Sequence, residues 1–389
     1  MMRRCYVYKL KATAAQAEGL QRYLDVTREA YNAALEQRIG AYRATGRSPG
    51  WYQQKREIKQ LRVAGLLQGC HVHPVQDAFR RLDLAYRAFF RRCAEGAGRK
   101  GFPRFRSRRH WRSFGFQEYG NGVRLVEGNR QLQITGLGAV RVRLHRPLSG
   151  IPKTCTMVKK ADGWYAHIVC ELPDAPAVAD HDPSRRAALD LGVEALATLH
   201  TGERIANPRH LRRAARKLRA EQRTLQRKQR GSRRRAKQRE RVARAHLKVA
   251  RARRDCLHKH SHALAARFRF IAVEDLTVAA MTRSAKGTIL KPGRRVRQKA
   301  GLNRSILDAA WGEFTEMLDY KLTARGGRLV RVPAGGTSQA CSGCGAHVPK
   351  ALSERWHDCP RCGLSLDRDQ NAAINIYHRA WAVPVAEAA

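Results

Sequence analysis

The chain has 389 residues and sets 77 Lys and Arg against 32 Asp and Glu, a net charge of +45. That excess repels itself and calls for a polyanion; Arg, the better fork for phosphate oxygens, outnumbers Lys. No run of about eighteen apolar residues is present, and residues 1–4 lead straight into CYVYKL rather than a secretory signal. A membrane partner is therefore not expected, and a cytoplasmic, nucleoid-associated protein bound to nucleic acid is. Six cysteines (5, 70, 93, 155, 170, 256) are scattered without a disulfide-like rhythm, which suits a reducing compartment.

Residues 5–10 alternate weakly, as one strand does. From about 14 to 42, Leu20, Leu24, Tyr31, Leu35, Ile39 and Tyr42 recur at helical spacing. A break at 46–50 precedes a shorter helix around 53–67. Pro74 then opens a third, with Val75, Phe79, Leu82, Tyr86 and Phe89 on one face. Residues 99–116 interleave Phe102, Phe105, Trp111, Phe114 and Phe116 with basic residues that include Arg99, Lys100, Arg104 and Arg106. Such a stretch either stacks bases while its cations track phosphates, or docks its aromatics on the core as a hairpin; both readings stand. Alternation at Val140, Val142 and Leu144, and again from Trp164 to Leu172, predicts a β-rich module completed by the first strand. The segment PDAPAVADHDP (173–183) is the clearest boundary in the chain.

Beyond it, an apolar strand runs into Asp190, and two further strands follow at 195–199 and from 204. An acid ending an apolar strand is costly unless something positive compensates it. Residues 204–260 hold 23 Lys and Arg and three acids, Glu221, Glu240 and Asp255. A thin seam of leucines and valines and a turn at Gly231 predict two long helices in a hairpin. With charge of a single sign, Arg212, Arg213, Arg216, Arg233, Arg234, Arg235 and Lys237 are candidate phosphate contacts. FIAVEDL delivers a second acid, Glu274, at a strand end. Residues 282–301 read as a mobile basic loop, 306–322 as one amphipathic helix, and 328–333 as a strand.

CSGC (341–344) and CPRC (359–362) are two Cys-x-x-Cys knuckles whose spacing matches one structural zinc ion held by Cys341, Cys344, Cys359 and Cys362. Gly345 and Gly363 follow them where the chain must turn tightly. DRDQNAAINI (367–376) then opens a helix on Asp367 and Asp369. Three strands, a helical excursion, a strand ending in Glu, a helix, a strand and a helix opening on Asp is the order of an RNase H-like sheet. In that layout Asp190, Glu274 and Asp369 converge at one edge. Two Mg²⁺ ions there, with Mn²⁺ as a possible substitute, would neutralise the acids and serve phosphodiester hydrolysis.

The stretches ALDLGVEALATLHTGERIANPRHLRRA, FIAVEDLTVAAMTRS, LNRSILDAAWGEFTEMLDYK and TSQACSGCG…CPRCGLSLDRDQNAAINI resemble the TnpB family, transposon-encoded RNA-guided nucleases related to type V CRISPR effectors. They span most of 186–378; YNAALEQRI and the GFPRFRS loop carry a looser likeness upstream. The resemblance implies a multidomain α+β protein. Its N-terminal β-barrel-like wedge domain (1–12 and 99–173) would hold a helical recognition insertion (13–98). A linker (174–183) would lead to an RNase H-like (RuvC) α/β nuclease domain (184–338), with the basic hairpin at 204–267 and a lid loop at 275–301. An inserted zinc ribbon (339–364) and a C-terminal nuclease part (365–389) would complete it.

The resemblance puts the catalytic acids on Asp190, Glu274 and Asp369, the last preferred to Asp367 because it stands two residues before Asn371. Its partners would be a guide RNA from the transposon end and target double-stranded DNA cut beside a short motif. One protein per guide and a separate, nearby-encoded transposase are also implied. Three rivals are a silent RNA-guided DNA-binding repressor, which would have lost the acids, a zinc-ribbon RNA-binding protein in which they are structural, and a transposase joining strands itself, for which no module that pairs transposon ends is evident.

Overall fold

The computed structural model describes residues 1–382 apart from 97, 99, 127, 129 and 352. The chain divides into two compact units, Met1–Pro173 and Asp174–Ala389. In the first, β1 (Met2–Lys11) buries Tyr6, Tyr8 and Leu10, while the residues between them stay partly exposed. Then α1 (Ala14–Thr45) starts from a capping box: Thr13 Oγ1 accepts from Gln16 N, and Gln16 Oε1 from Thr13 N. Its buried stripe is Leu20, Tyr23, Leu24, Tyr31 and Leu35. Tyr42, expected on that stripe, is exposed, because the helix's last turns run past the core. The shorter α2 (Trp51–Val63) ends earlier than its pattern suggests, and α3 (Val72–Ala94) buries Val75, Phe79, Leu82 and Tyr86.

Six strands follow: β2 (Ser113–Phe116), β3 (Val123–Val126), β4 (Gln131–Ile134), β5 (Gly138–Arg143), β6 (Ile151–Lys160) and β7 (Gly163–Leu172). With β1 they make one antiparallel sheet in the order β2-β6-β7-β1-β5-β4-β3. Among the described residues no ladder joins β2 to β3, so the sheet keeps two edges rather than closing as a barrel.

The second unit is built on a five-stranded sheet in the order β10-β9-β8-β11-β12. Its strands are β8 (Arg186–Asp190), β9 (Ala195–Leu199), β10 (Arg204–Ala206), β11 (Phe270–Glu274) and β12 (Arg328–Val332). Central β8 is antiparallel to β9 and parallel to β11, with Leu189 opposite Val273. Both faces are covered, and alternate residues serve different cores. Ala187, Leu189, Ile271 and Val273 join one, while Ala188, Ala272 and Val332 join Ile376 in the other.

Between β10 and β11 lies the hairpin of α4 (His210–Gln226) and α5 (Arg233–Arg267). Between β11 and β12 come α6 (Val278–Met281), α7 (Val296–Ala309) and α8 (Trp311–Thr323). The single helix expected over 306–322 is broken: Ala310 is left-handed at φ 56°, which turns Trp311 and Phe314 into the core. The Trp311 indole donates to Gly192 O at 3.1 Å. The loop expected over 282–301 is shorter, since α7 begins at Val296. Buried Asp308 closes α7; both its oxygens accept from Leu211 N (3.1 and 2.9 Å), which caps α4. The last described elements are the ribbon hairpin, β13 (Trp356–Asp358) and β14 (Ser365–Asp367), and α9 (Arg368–Trp381) packed on β8.

Candidate functional site

Because β8 and β11 run parallel in that register, their last residues, Asp190 and Glu274, stand side by side at the C-terminal edge of the sheet. Asp369, the second residue of α9, brings a third carboxylate to the same edge. Asp190 is pushed well above the ordinary carboxylate range, by burial first and then by the charges of Glu274 and Asp369. Burial also raises Glu274, against the Thr337 hydroxyl, which donates to its Oε1. Burial likewise raises Asp369, opposed by Arg355 and Arg204.

Those two arginines are a part of the site that the sequence pattern does not announce. Arg204 Nη2 lies 3.6 Å from Asp369, and its Nη1 lies 3.6 Å from Asp367. Arg355, from the ribbon, lies 3.3 Å from Asp369 and also pairs with Glu194. Both are only partly covered, with 42% and 45% of the side chain exposed, so their compensation is screened by water. What remains is a set of hard oxygen donors at a half-buried edge, a donor chemistry that fits Mg²⁺ or Mn²⁺.

Asp367 has a different job. Its Oδ1 accepts from Asp369 N (2.9 Å) and Gln370 N (3.2 Å), the pattern of an N-cap.

The four ribbon cysteines have Sγ atoms all within 4.8 Å of one another, with Cys341–Cys362 and Cys344–Cys359 at 3.6 Å. A thiolate tetrahedron at zinc's bond length has edges of about 3.8 Å, so this cluster fits a structural zinc ion. Gly345 N and Gly363 N each donate to the carbonyl of the first cysteine of their knuckle at 2.9 Å. Amide donors from Cys362 and Arg361 bring Cys359 down to about 6, while burial pushes Cys341 up to about 12. No second set of that tightness occurs among the described residues; Asp190 feels the charges of Glu274 and Asp369, but the three acids do not close to ligand spacing. The ribbon is stitched to α9 by two residues that sequence reasoning passed over. Buried Asn371 accepts from Ser342 N (2.9 Å) and donates to Ala340 O (2.8 Å), and Asn375 donates to Thr337 O and Ala340 O.

The candidate basic contacts separate by environment. Arg212, Arg213, Arg216, Arg233, Arg234 and Lys237 are exposed along the hairpin. Arg235 is not spent on solvent: its guanidinium donates to Leu225 O and Lys228 O, closing the turn between α4 and α5. In the first unit Lys100, Arg104 and Arg106 are exposed, while Arg99 lies outside the described residues. The aromatic stretch divides likewise. Trp111, Phe114 and Phe116 are core, with Phe114 stacked on Tyr23 at 4.9 Å, whereas Phe102 and Phe105 remain about half exposed.

Residues 167–285 match the OrfB_IS605 family profile ("Probable transposase") and 311–376 the "Cas12f1-like, TNB domain". Residues 1–47 match its "Helix-turn-helix domain", although here they fold as β1 and α1. The chain is 33% identical over 386 residues to the Escherichia coli (strain K12) protein named "Putative RNA-guided DNA endonuclease InsQ", spanning 97% of this chain and 92% of that one. The chain belongs to the TnpB family. A Streptomyces pristinaespiralis protein, "Putative RNA-guided DNA endonuclease", is also 33% identical, over 96% of this TnpB-family chain and 89% of its own length. In fold, the chain resembles the protein of a Cas12f1–sgRNA–target DNA complex, with a TM-score of 0.58 at 14% identity over 92% of this chain and 82% of that one. No described helix is long and apolar enough to cross a membrane.

Proposed function

We propose that this TnpB-family chain is an RNA-guided DNA endonuclease that hydrolyses phosphodiester bonds of a target duplex at Asp190, Glu274 and Asp369. The observation that carries this reading is the meeting of three acids from β8, β11 and α9 at one sheet edge, where Asp190 senses both others. Asp190, Glu274 and Asp369 would hold two Mg²⁺ ions. What the bound ions supply is neutralisation of the acids and Lewis acidity toward the scissile phosphate. Thr337 orients Glu274, the Asp367 cap fixes the start of α9, and the sheet sets the spacing of Asp190 and Glu274.

The first unit is read, by the family resemblance, as wedge and recognition parts, and the second as a RuvC-type nuclease carrying the ribbon. The exposed cations of the α4–α5 hairpin and of the 100–106 loop would contact the phosphates of guide and target, so sequence choice rests with base pairing. A guide RNA from the transposon end, one protein per guide and a separately encoded transposase belong to the same reading.

The test is to purify the protein with the RNA it retains in its host, sequence that RNA and offer matching duplex DNA. Cleavage is expected with Mg²⁺ or Mn²⁺ and little with Ca²⁺, whose looser coordination suits binding more than hydrolysis. Asp190→Asn should lower the rate by several orders of magnitude while guide and target binding persist. Undiminished cleavage by Asp190→Asn would end the nuclease assignment.

A further inference from the structure

The turn over residues 284–295 lies within the expected lid loop, and it is a built element. Thr288 N donates to Lys291 O and Gly293 N to Lys286 O, each at 2.9 Å, so its limbs are bonded across the tip. Lys291 N also donates to Thr288 Oγ1 at 3.1 Å. A Cβ at Gly287 would stand 2.2 Å from Lys291 O and one at Gly293 1.5 Å from Ala285 O, approaches that only glycine permits. The base is tied down by α7: Lys299 Nζ donates to Met281 O at 2.6 Å, and Asn303 Nδ2 to Thr282 O at 2.9 Å.

At the tip stand Ile289 and Leu290, 100% and 93% exposed; no other large apolar side chain among the described residues is as bare. A rigid turn that holds two large apolar side chains in water forgoes their burial. The surroundings are strongly cationic. Lys286, Lys291, Arg294 and Arg295 ring the tip, all exposed and with no ion-pair partner among the described residues. Between Asp275 and Asp308 the sequence has no acid at all. Apolar residues inside a cationic collar match stacked bases inside a phosphate backbone. The turn begins ten residues beyond Glu274, which tethers it to the acid-bearing edge where DNA would lie.

We propose that this turn inserts Ile289 and Leu290 into the base stack of the target duplex while Lys286, Lys291, Arg294 and Arg295 hold the flanking phosphates. Apolar side chains driven between base steps unstack them, and an unstacked step is a place where strands part. The proposal rests on the endonuclease reading given above.

The test uses guide-loaded protein and two targets, a fully paired duplex and the same sequence with a mismatched, pre-opened bubble, both carrying 2-aminopurine. With Ile289→Ser/Leu290→Ser, duplex cleavage and the 2-aminopurine emission of the bound duplex should fall roughly tenfold or more, the scale of one lost unstacking contact. Bubble cleavage and guide binding should match the wild type, and Ile289→Phe/Leu290→Phe should restore the duplex values. Equal losses on duplex and bubble, or no loss on either, overturn the proposal. So does binding to phosphatidylserine vesicles that the serine variant loses while still opening DNA, since that makes the tip a membrane anchor. A wild type that cuts neither target fails the nuclease reading alone; emission without divalent metal still decides the turn.

Discussion

Asp367 and Asp369 stand two positions apart on one helix start, and their surroundings differ. Asp367 spends Oδ1 on two backbone amides, whereas Asp369 points among Arg204, Arg355 and the charge of Asp190. Asp367→Ala should therefore cost about 1 kcal/mol of stability, the usual worth of a cap, and leave cleavage reduced but measurable. Asp369→Ala should leave the melting temperature near the wild-type value and remove cleavage. Melting and cleavage measured side by side check both; a dead Asp367→Ala beside an active Asp369→Ala reverses the assignment. At this scale Asp190 and Glu274 stand out in the sequence because each ends an apolar strand, whereas Asp369 is told from Asp367 only by the family resemblance, through its place two residues before Asn371. Arg204, Arg355 and Thr337 do not stand out, because nothing local marks an exposed arginine or a loop threonine as the neighbour of a distant carboxylate.

The α4–α5 hairpin shows the same division among elements. Arg233, Arg234 and Arg235 are consecutive in sequence, but only the first two face solvent, while Arg235 holds the turn through Leu225 O and Lys228 O. Reversing Arg233, Arg234 and Lys237 to Glu should weaken RNA binding and make the slope of log affinity against log salt shallower by roughly 2–3, near 0.9 per lost phosphate contact. Target choice should stay as it was. Arg235→Ala should instead lower thermal stability and speed amide exchange near 226–233, with a smaller change in salt slope. A filter-binding titration over salt, with exchange mass spectrometry, separates the two; a changed target preference would mean that the hairpin reads bases. Periodicity found the hairpin and its seam, but helical pattern alone hid the break at Ala310, since residues on both sides keep good helix-forming sequence.

Across the second unit, the ribbon is tied to the sheet through α9, whose Asn371 and Asn375 bind the 337–342 backbone while the helix packs on β8. Folded protein should carry about one zinc per chain. Stripping it with a chelator, or Cys359→Ser, should loosen the ribbon and fray the start of α9, so cleavage falls even with Mg²⁺ in excess. Metal analysis, melting and cleavage after chelation test this; folded, active protein without zinc would refute it.

By itself the sequence determined most of the elements, though not the break at Ala310 or the start of α7, and the residue types they carry. The strands that end in Asp190 and Glu274, the two knuckles and the basic hairpin are all local patterns, written in side-chain period, ligand spacing and charge. Element order and resemblance suggested that the acids meet, but tertiary structure decided how, and which other residues join them. The register of β8 against β11 and the seat of α9 bring the acids to one edge. The core takes Trp111, Phe114 and Phe116 and leaves Phe102 and Phe105 outside; the turn at 284–295 holds Ile289 and Leu290 in the open. The reason is physical: a contact between residues far apart in the chain depends on which faces bury each other, and no short stretch of sequence encodes its own partner.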